Sequence, residues 1–298
     1  MAWDPIPPEV RARLRTLRIG SRRAAGGRGF GLHRSRSRGA GMEFVQYRGY
    51  EPGDELRRID WKLYARSDRF FVREAERESQ LTIWVLLDMS ASMAQADEER
   101  PDWSRLDAAK ALAASMFEIA LAQGDPFGLV LAGDGRLSLL PAAAGIRQRD
   151  RLLMALEDAG ARGGPVAPER LAPLWQRVGP EDVVVLLGDF FDETTATLAE
   201  RLAAARREVL AIQLLTVGER DFDFGDGRLF RDPETGDELP GDGPAMREGF
   251  LERFGQARRE LQARFNAVGI RHVEYVLDEP LDLPLRRLLG GADAAERP

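Results

Sequence analysis

The stretch that decides the fold is LTIWVLLDMSASM, residues 81–93. Its unbroken apolar run from Ile83 to Leu87 is typical of a strand covered on both faces, as in a parallel sheet flanked by helices. Asp88, Ser90 and Ser92 follow directly, so oxygen-bearing side chains come where the strand ends. Ligands of open α/β sheets bind outside the carboxyl ends of the strands. The stretch therefore predicts an α/β fold with a ligand-binding site at the carboxyl end of this strand.

Five further runs of strand length alternate with helical patterns and extend this prediction. They are residues 127–133 (FGLVLAG), 136–141 (RLSLLP), 182–189 (DVVVLLGD), 208–217 (EVLAIQLLTV) and 270–276 (IRHVEYV). Residues 104–123 repeat apolar side chains at helical spacing, which predicts a crossover helix. Asp134 and Gly135 alone separate two of the runs, and this pair favours a two-residue hairpin. We therefore expect a doubly wound, mostly parallel sheet with one antiparallel edge strand.

The region before the last strand predicts an insertion followed by a long helix. Residues 221–243 are acidic and rich in turn formers, which indicates an insertion loop or a short hairpin. Gly269 is placed to end the helix that follows. The apolar face of that helix is predicted at Met246, Phe250, Phe254, Ala257, Leu261 and Phe265.

Composition bounds the class of protein. The 298 residues are 44% hydrophobic and 31% charged, which fits one or two soluble globular domains. The chain has no cysteine and two histidines, His33 and His272, which excludes disulfides, zinc fingers, iron–sulfur clusters and thiol nucleophiles. No apolar run approaches the roughly 18 residues of a membrane span, and no signal-peptide pattern begins the chain. We expect a cytoplasmic protein.

Charge is unevenly distributed. Residues 1–50 hold eleven arginines against three acidic residues, a local charge of +8, whereas the whole chain carries −6. Residues 11–38 are rich in Gly, Ser and Arg, so residues 1–40 are predicted to be a mobile basic arm. Such an arm could neutralise nucleic-acid phosphates or anionic lipid, or lie on an acidic surface of its own chain or of a partner. Residues 291–298 are predicted to be a tail.

Asp88, Ser90, Ser92 and Asp189 form a candidate metal site. Asp189 ends the 182–189 run, so it would meet Asp88 if both strands are central in the sheet. Carboxylate and hydroxyl oxygens are hard donors that suit Mg²⁺, which keeps water in its remaining coordination positions. The alternative is structural, because Asp and Ser also cap the turns that follow strands.

The D-x-S-x-S spacing resembles the metal-ion-dependent adhesion site of von Willebrand factor A domains. A more specific pattern precedes the strand and resembles the bacterial family called domain of unknown function 58. The residues that carry it are Arg48-Gly49-Tyr50, Pro52-Gly53-Asp54, Arg57, Ile59-Asp60-Trp61 and Ala65-Arg66. The resemblance implies a von Willebrand factor A-like domain over residues 80–290, preceded by a family-specific segment at 41–79 that packs on the sheet.

The resemblance also implies a function. Members of this family are linked to MoxR-type AAA+ ATPases, with which they are thought to act as chaperones or assembly factors for other proteins. Asp88, Ser90, Ser92 and Asp189 would then be metal ligands. The adhesion-site pattern further requires a threonine, commonly after two glycines, but residues 161–165 read ARGGP, with Pro165 where that hydroxyl belongs. We therefore expect weak Mg²⁺ binding that a partner completes.

The signature residues Arg48, Tyr50, Gly53, Asp54, Arg57, Asp60, Trp61 and Arg66 have two interpretations. They could form a buried ion-pair network that docks the 41–79 segment on the sheet, or a surface that faces a partner. Gly53 belongs to a Pro-Gly-Asp turn in either case.

The sequence favours a non-enzymatic protein-interaction module. A Mg²⁺-dependent phosphoryl hydrolase is the alternative from another class, but the sequence shows no general base, no aspartate-nucleophile D-x-D pattern and no phosphate-binding glycine loop. Nucleic-acid binding through the basic arm is a third hypothesis, and it would be non-specific and sensitive to salt.

Overall fold

The computed structural model describes residues 3–20, 45–51, 54, 56, 59–75, 81–225, 227–231, 233 and 236–290. The chain divides into two compact units. Among the described residues, one unit comprises 3–20 and 81–290, and the other comprises those from 45 to 75. No helix in this described part is long and apolar enough to cross a membrane.

The strands form one six-stranded sheet and two separate two-stranded sheets. In chain order, they are β1 (Val45–Gly49), β2 (Phe71–Ala75), β3 (Ile83–Asp88), β4 (Phe127–Gly133), β5 (Arg136–Ala143), β6 (Val183–Gly188), β7 (Glu208–Leu215), β8 (Arg228–Arg231), β9 (Glu238–Gly241) and β10 (Arg271–Val276). The two-stranded sheets are β1-β2 and β8-β9. The helices are α1 (Pro8–Leu14), α2 (Trp61–Ser67), α3 (Arg105–Gln123), α4 (Ile146–Glu157), α5 (Ala172–Arg177), α6 (Glu193–Ala204), α7 (Val217–Asp221), α8 (Gly243–Ala267) and α9 (Leu283–Leu289).

The central sheet has the order β10-β7-β6-β3-β4-β5 and is parallel except for β5. The residues of β3, β6 and β7 are all buried, which is what their unbroken apolar runs predicted. One core lies on the face covered by α3, and the other lies on the opposite face with α6 and the end of α8. The mostly parallel α/β sheet is confirmed.

The predicted antiparallel edge is confirmed at β5. Asp134 and Gly135 both have positive φ, 51° and 62°, and they join β4 to β5. Two successive residues with positive φ give a turn whose twist matches a hairpin, which is why the Asp-Gly pair belongs there.

The region of residues 221–269 follows the prediction closely. β8 and β9 pair as a short antiparallel hairpin, and α8 begins after Asp242, whose side chain accepts a hydrogen bond from the Ala245 amide. Gly269 has a φ of 77° just beyond the helix. A left-handed residue there ends the helix and turns the chain into β10.

The predicted arm of residues 1–40 is wrong for residues 3–20, which belong to the α/β unit. Gln123 both accepts from the Ile19 amide (2.7 Å) and donates to its carbonyl (2.9 Å), and Arg13 pairs with Asp282 at 2.8 Å. The arginine content hid an apolar stripe at helical spacing, whose buried members are Ile6, Val10, Leu14, Leu17 and Ile19. Residues 21–40 of that arm, and the 291–298 tail, lie outside the described residues.

The second unit is built on β1 and β2, which pair in antiparallel fashion. Asp60 begins α2, and its Oδ1 accepts hydrogen bonds from the amides of Lys62 (2.9 Å) and Leu63 (3.0 Å). An aromatic cluster lies beside it: Tyr64 stacks on Phe70 with ring centroids 4.4 Å apart. Trp61 and Tyr50 complete the cluster with edge contacts to Phe70.

Because His272 is buried, we expect the free energy of unfolding to fall at acidic pH. The His272 ring makes edge contacts with Phe190 and Phe265, and burial lowers its pKa to about 4, an effect that Glu274 opposes and Arg258 reinforces. The unfolded chain binds this proton below about pH 6.5, so the folded state loses stability as pH falls from there towards 4. At about pH 5 the loss should be about 2 kcal/mol.

Urea unfolding of wild type and His272→Gln at about pH 7 and about pH 5 tests this. Glutamine has no proton to gain, so the variant should lose about 2 kcal/mol less on acidification. Equal losses in the two proteins would contradict it.

Candidate functional site

The site lies at the carboxyl ends of β3 and β6, which are adjacent parallel strands. The sheet order reverses here, because the chain runs outward on one side through β4 and β5 and on the other through β7 and β10. Asp88 ends β3 and Asp189 follows β6, and both are buried, 4% and 2% exposed. A Cβ at Gly188 would come within 3.3 Å of Asp88 Oδ2, so glycine permits this approach of the two strand ends.

The loop after β3 turns around the carboxylate of Asp88. Its Oδ1 accepts a hydrogen bond from the Ser90 amide at 2.9 Å, and the hydroxyls of Ser90 and Ser92 are 3.0 Å apart. Oδ2 of Asp88 is buried and has no partner among the described residues. Burial and the neighbouring Asp189 and Asp192 raise the pKa of Asp88 to about 7.

Stabilisation of the turn accounts for one of the two oxygens of the Asp88 carboxylate. Oδ1 of Asp88 fixes the turn, as the structural alternative required. Ser90 precedes the 3₁₀ helix Ala91–Ala94 without a side-chain cap, and its hydroxyl bonds that of Ser92 instead. Oδ2 of Asp88 is therefore left without a partner among the described residues, beside two hydroxyls that bond each other.

The loop at residues 161–165 lies beside the loop after β3, where the missing threonine was expected. The Arg162 amide donates to the Met89 carbonyl at 2.9 Å, and the Ala91 amide donates to the Gly163 carbonyl at 2.8 Å. Pro165 lines a cavity of about 20 Å³, a volume that holds one water molecule. Asp88 and two threonines of α6 line the same cavity: Thr194 and Thr195.

Arg105, the first residue of α3, brings a fixed positive charge to the site. Its guanidinium is fully buried and donates to Asp189 Oδ2 at 3.1 Å and to the Ser92 carbonyl at 3.0 Å, and it also pairs with Glu219. Burial lowers the pKa of Arg105, and nearby aspartates oppose that. The ring of Phe191 covers the guanidinium at 5.1 Å. The carboxylate of Asp189 is therefore paired with an arginine, whereas Oδ2 of Asp88 has no hydrogen-bond partner among the described residues.

Arg105 belongs to a network that ties three loops together. Asp97 accepts hydrogen bonds from the amides of Val217 (3.1 Å) and Gly218 (3.0 Å) at the start of α7. Glu219 accepts from Arg105 through Oε1 and from the Thr216 amide through Oε2, the latter at 2.9 Å. Sequence reasoning missed Arg105, Asp97 and Glu219. A capping-box spacing at Thr216 and Glu219 was the available signal, and it marks a helix start rather than a site.

The residues present fit a divalent cation in part. An unpartnered buried carboxylate oxygen and two hydroxyls are the hard donors that Mg²⁺ prefers. No cluster of three or more acidic or histidine side chains within the described ranges is arranged around one metal position. The site therefore fits a weakly held ion with one carboxylate ligand from the chain, Asp88, and with Asp189 turned towards Arg105.

The signature residues lie in the second unit or outside the described residues. Asp54 Oδ2 accepts from the Glu51 amide at 2.9 Å, Trp61 is 58% exposed, and Arg66 is exposed in the last turn of α2. Gly53, Arg57 and the side chain of Arg48 lie outside the described residues. Docking of the 41–79 segment on the sheet, and the buried ion-pair network, stay predictions.

Comparisons with known proteins identify relatives along most of the chain. The chain is 31% identical over 275 residues to "Uncharacterized protein Rv1480" of Mycobacterium tuberculosis strain H37Rv, covering 89% of this chain and 84% of that protein. The same values hold for "Uncharacterized protein Mb1516" of Mycobacterium bovis.

Solved structures with similar coordinates were also found. The conserved hypothetical protein BatB of Bacteroides thetaiotaomicron is 17% identical with a TM-score of 0.38, over 66% of this chain and 90% of that one. The SpRpn10 VWA domain is 15% identical with a TM-score of 0.41, over 70% of this chain and 95% of that one.

The family model described as "Protein of unknown function DUF58" matches residues 46–260. This range contains α2, β2 and all but the first residue of β1 in the second unit, and most of the α/β unit. The match covers well over half of the chain. The chain therefore belongs to the DUF58 family, and its α/β unit is built on a doubly wound, mostly parallel sheet with one antiparallel edge strand.

Proposed function

We propose that this protein is a non-enzymatic protein-interaction module that contacts its partner through a Mg²⁺ ion at the carboxyl ends of β3 and β6. The observation that carries the proposal is Oδ2 of Asp88, a buried carboxylate oxygen without a partner in the described part of the chain. A buried charge without a partner costs free energy, and a cation supplied from solution removes that cost. The hydroxyls of Ser90 and Ser92 lie close by as further donors.

Each residue of the site has a separate role in this proposal. Asp88 supplies the carboxylate, and its Oδ1 is held by the Ser90 amide, which fixes the direction of Oδ2. Ser90 and Ser92 supply neutral donors. Asp189 is held by Arg105, so it can bond water around the ion rather than the ion itself. Bound Mg²⁺ would supply a positive charge with open coordination positions, where a partner's glutamate or aspartate can sit.

Two features support a binding role over phosphoryl hydrolysis. The hydroxyls of Ser90 and Ser92 bond each other, so neither is activated by a base. His272, the histidine in the described part of the chain, bonds Gln262 at 2.7 Å and makes edge contacts with Phe190 and Phe265, and no hydrogen bond joins it to Asp88 within the described residues. We propose no catalytic residue for this chain.

We propose a MoxR-type AAA+ ATPase as the partner, with the pair acting in assembly or maturation of other proteins. Family membership supports this partner, since DUF58 proteins are linked to such ATPases. The acidic site also explains why an ion is needed. A partner carboxylate would otherwise meet Asp88 and Asp189 in a buried setting, where like charges repel more strongly than in water.

The proposal predicts that Mg²⁺ strengthens the complex and that Asp88 is required for this. Affinity for a MoxR-type AAA+ ATPase encoded in the same genome should be measured by calorimetry, with Mg²⁺ and with chelator, for wild type and Asp88→Ala. Either the chelator or the substitution should weaken binding by about tenfold or more, which is about 1.4 kcal/mol. Asp158→Ala, at an exposed position, is the matched control.

Two outcomes would contradict the proposal. Equal affinity in all four conditions would mean that the metal site does not contact the partner, and residues 48–78 would then be the next candidate for the interaction surface. Steady hydrolysis of a phosphate ester by the purified protein, lost in Asp88→Ala with the fold intact, would establish the enzyme alternative.

A further inference from the structure

One edge of the central sheet, β10, presents unpaired backbone groups. The Leu277 amide donates to the Leu215 carbonyl at 3.0 Å, so the odd-numbered residues of β10 direct their backbone groups towards β7. Even-numbered residues therefore direct theirs outward, because N–H and C=O groups alternate between the two edges of a strand.

The two ends of this outward edge are closed by the chain itself. The Ile270 amide donates to the Phe265 carbonyl at 2.9 Å, and the Val276 amide donates to Glu279 Oε2 at 3.1 Å. The Val276 carbonyl accepts from the Glu279 amide at 2.9 Å. His272 and Glu274 lie between these closures, and their outward N–H and C=O groups have no partner in the parts of the chain that the structure describes.

A groove runs along this open stretch of β10. It has a volume of about 670 Å³, within the range of ligand-binding clefts, and it is lined by His272, Val273 and Glu274 from the strand. The groove wall on one face of the sheet is α8, and Arg287 of α9 lines it from the other face. The site at Asp88 and Asp189 shares no lining residue with it.

The groove carries an excess of positive charge in a protein whose net charge is −6. Arg258 is neutralised by Glu274 in a two-pronged pair. Arg259 has no ion pair with any described residue, and Arg287 reaches Glu279 only at 3.4 Å. An arginine is therefore available on each side of the strand edge.

We propose that β10 is a docking edge for an extended acidic peptide segment of another protein, which adds to the sheet as a strand. The backbone groups of His272 and Glu274 would pair with the backbone of the segment. Side chains of an added strand alternate between the two faces of the sheet, so its acidic residues would meet Arg259 on one face and Arg287 on the other. This surface is independent of the metal site proposed above.

The test uses the full chain and a fluorescein-labelled acetyl-Glu-Val-Glu-Glu-Val-Glu-amide probe, followed by fluorescence anisotropy. Wild type should bind the probe, and Arg259→Glu and Arg287→Glu should each weaken binding by about tenfold or more. Arg253→Glu makes the same charge change at an exposed position of α8 outside the groove, and it should change the affinity less than about twofold.

Two modified probes separate strand addition from simple charge attraction. Methylation of alternate backbone amides removes hydrogen bonds and keeps the charges, so it should weaken binding by about tenfold, and a lysine-for-glutamate probe should not bind. Wild-type binding that survives amide methylation would overturn the proposal, as would no binding of the acidic probe. A concentration-dependent dimer that buries β10 and excludes the probe would assign this edge to a second copy of the chain instead.

Discussion

Replacing Arg105 with methionine should lower the free energy of unfolding by about 3 to 5 kcal/mol, because it removes one partner from a buried ion network. The guanidinium is fully buried and pairs with both Asp189 and Glu219. Methionine fills similar space but leaves both carboxylates without their cation. For a chain of this size, the melting temperature should fall by about 10 °C.

Two companion variants make this result specific. Arg206→Met removes an exposed ion pair with Glu181, and such pairs contribute little, so its melting temperature should stay near that of wild type. Arg105→Met combined with Glu219→Gln should recover part of the lost stability, since one uncompensated charge is removed. A loss below about 1 kcal/mol for Arg105→Met would mean that the guanidinium does not stabilise the loops around the site.

The sheet could be predicted from the sequence because burial on both faces leaves an unambiguous pattern. The runs that became β3, β6 and β7 are apolar at nearly every position, and Asp134-Gly135 allows little but a hairpin turn. The same reasoning correctly brought the ends of β3 and β6 together, since parallel strands that are neighbours at a reversal of order must end side by side.

Residues 3–20 and Arg105 escaped prediction for different physical reasons. The high arginine count of residues 1–50 drew attention away from apolar residues that recur every fourth position and pack into the core, among them Ile6, Val10 and Leu14. Arg105 follows a capping serine, where an arginine normally extends into solvent. Its burial depends on Asp189 and Glu219, which are far from it in sequence, and single-sequence patterns do not contain such pairings.

Asp88→Asn should stabilise the metal-free protein, although it removes the central residue of the proposed site. The pKa of Asp88 is raised from 3.8 to about 7, mainly by burial, so folding favours the protonated carboxyl group. Wild type therefore loses stability as pH rises from about 4 to about 7, and the loss is complete above that range. Asparagine cannot ionise, so in chelator at about pH 8 the variant should be more stable by up to about 4 kcal/mol.

Magnesium should reverse this order, and the reversal distinguishes a metal ligand from a merely buried acid. Bound Mg²⁺ compensates the ionised carboxylate, so adding it at about pH 8 should raise the melting temperature of wild type and leave Asp88→Asn unchanged. At about pH 5 most of the carboxyl group is protonated in the folded protein, so the ion should have a much smaller effect there. Asp158→Asn, at an exposed position, should follow wild type in every condition. If Mg²⁺ stabilises wild type and Asp88→Asn equally, the ion binds elsewhere. The buried carboxylate of Asp88 then lowers the free energy of unfolding, and no bound ion offsets that loss.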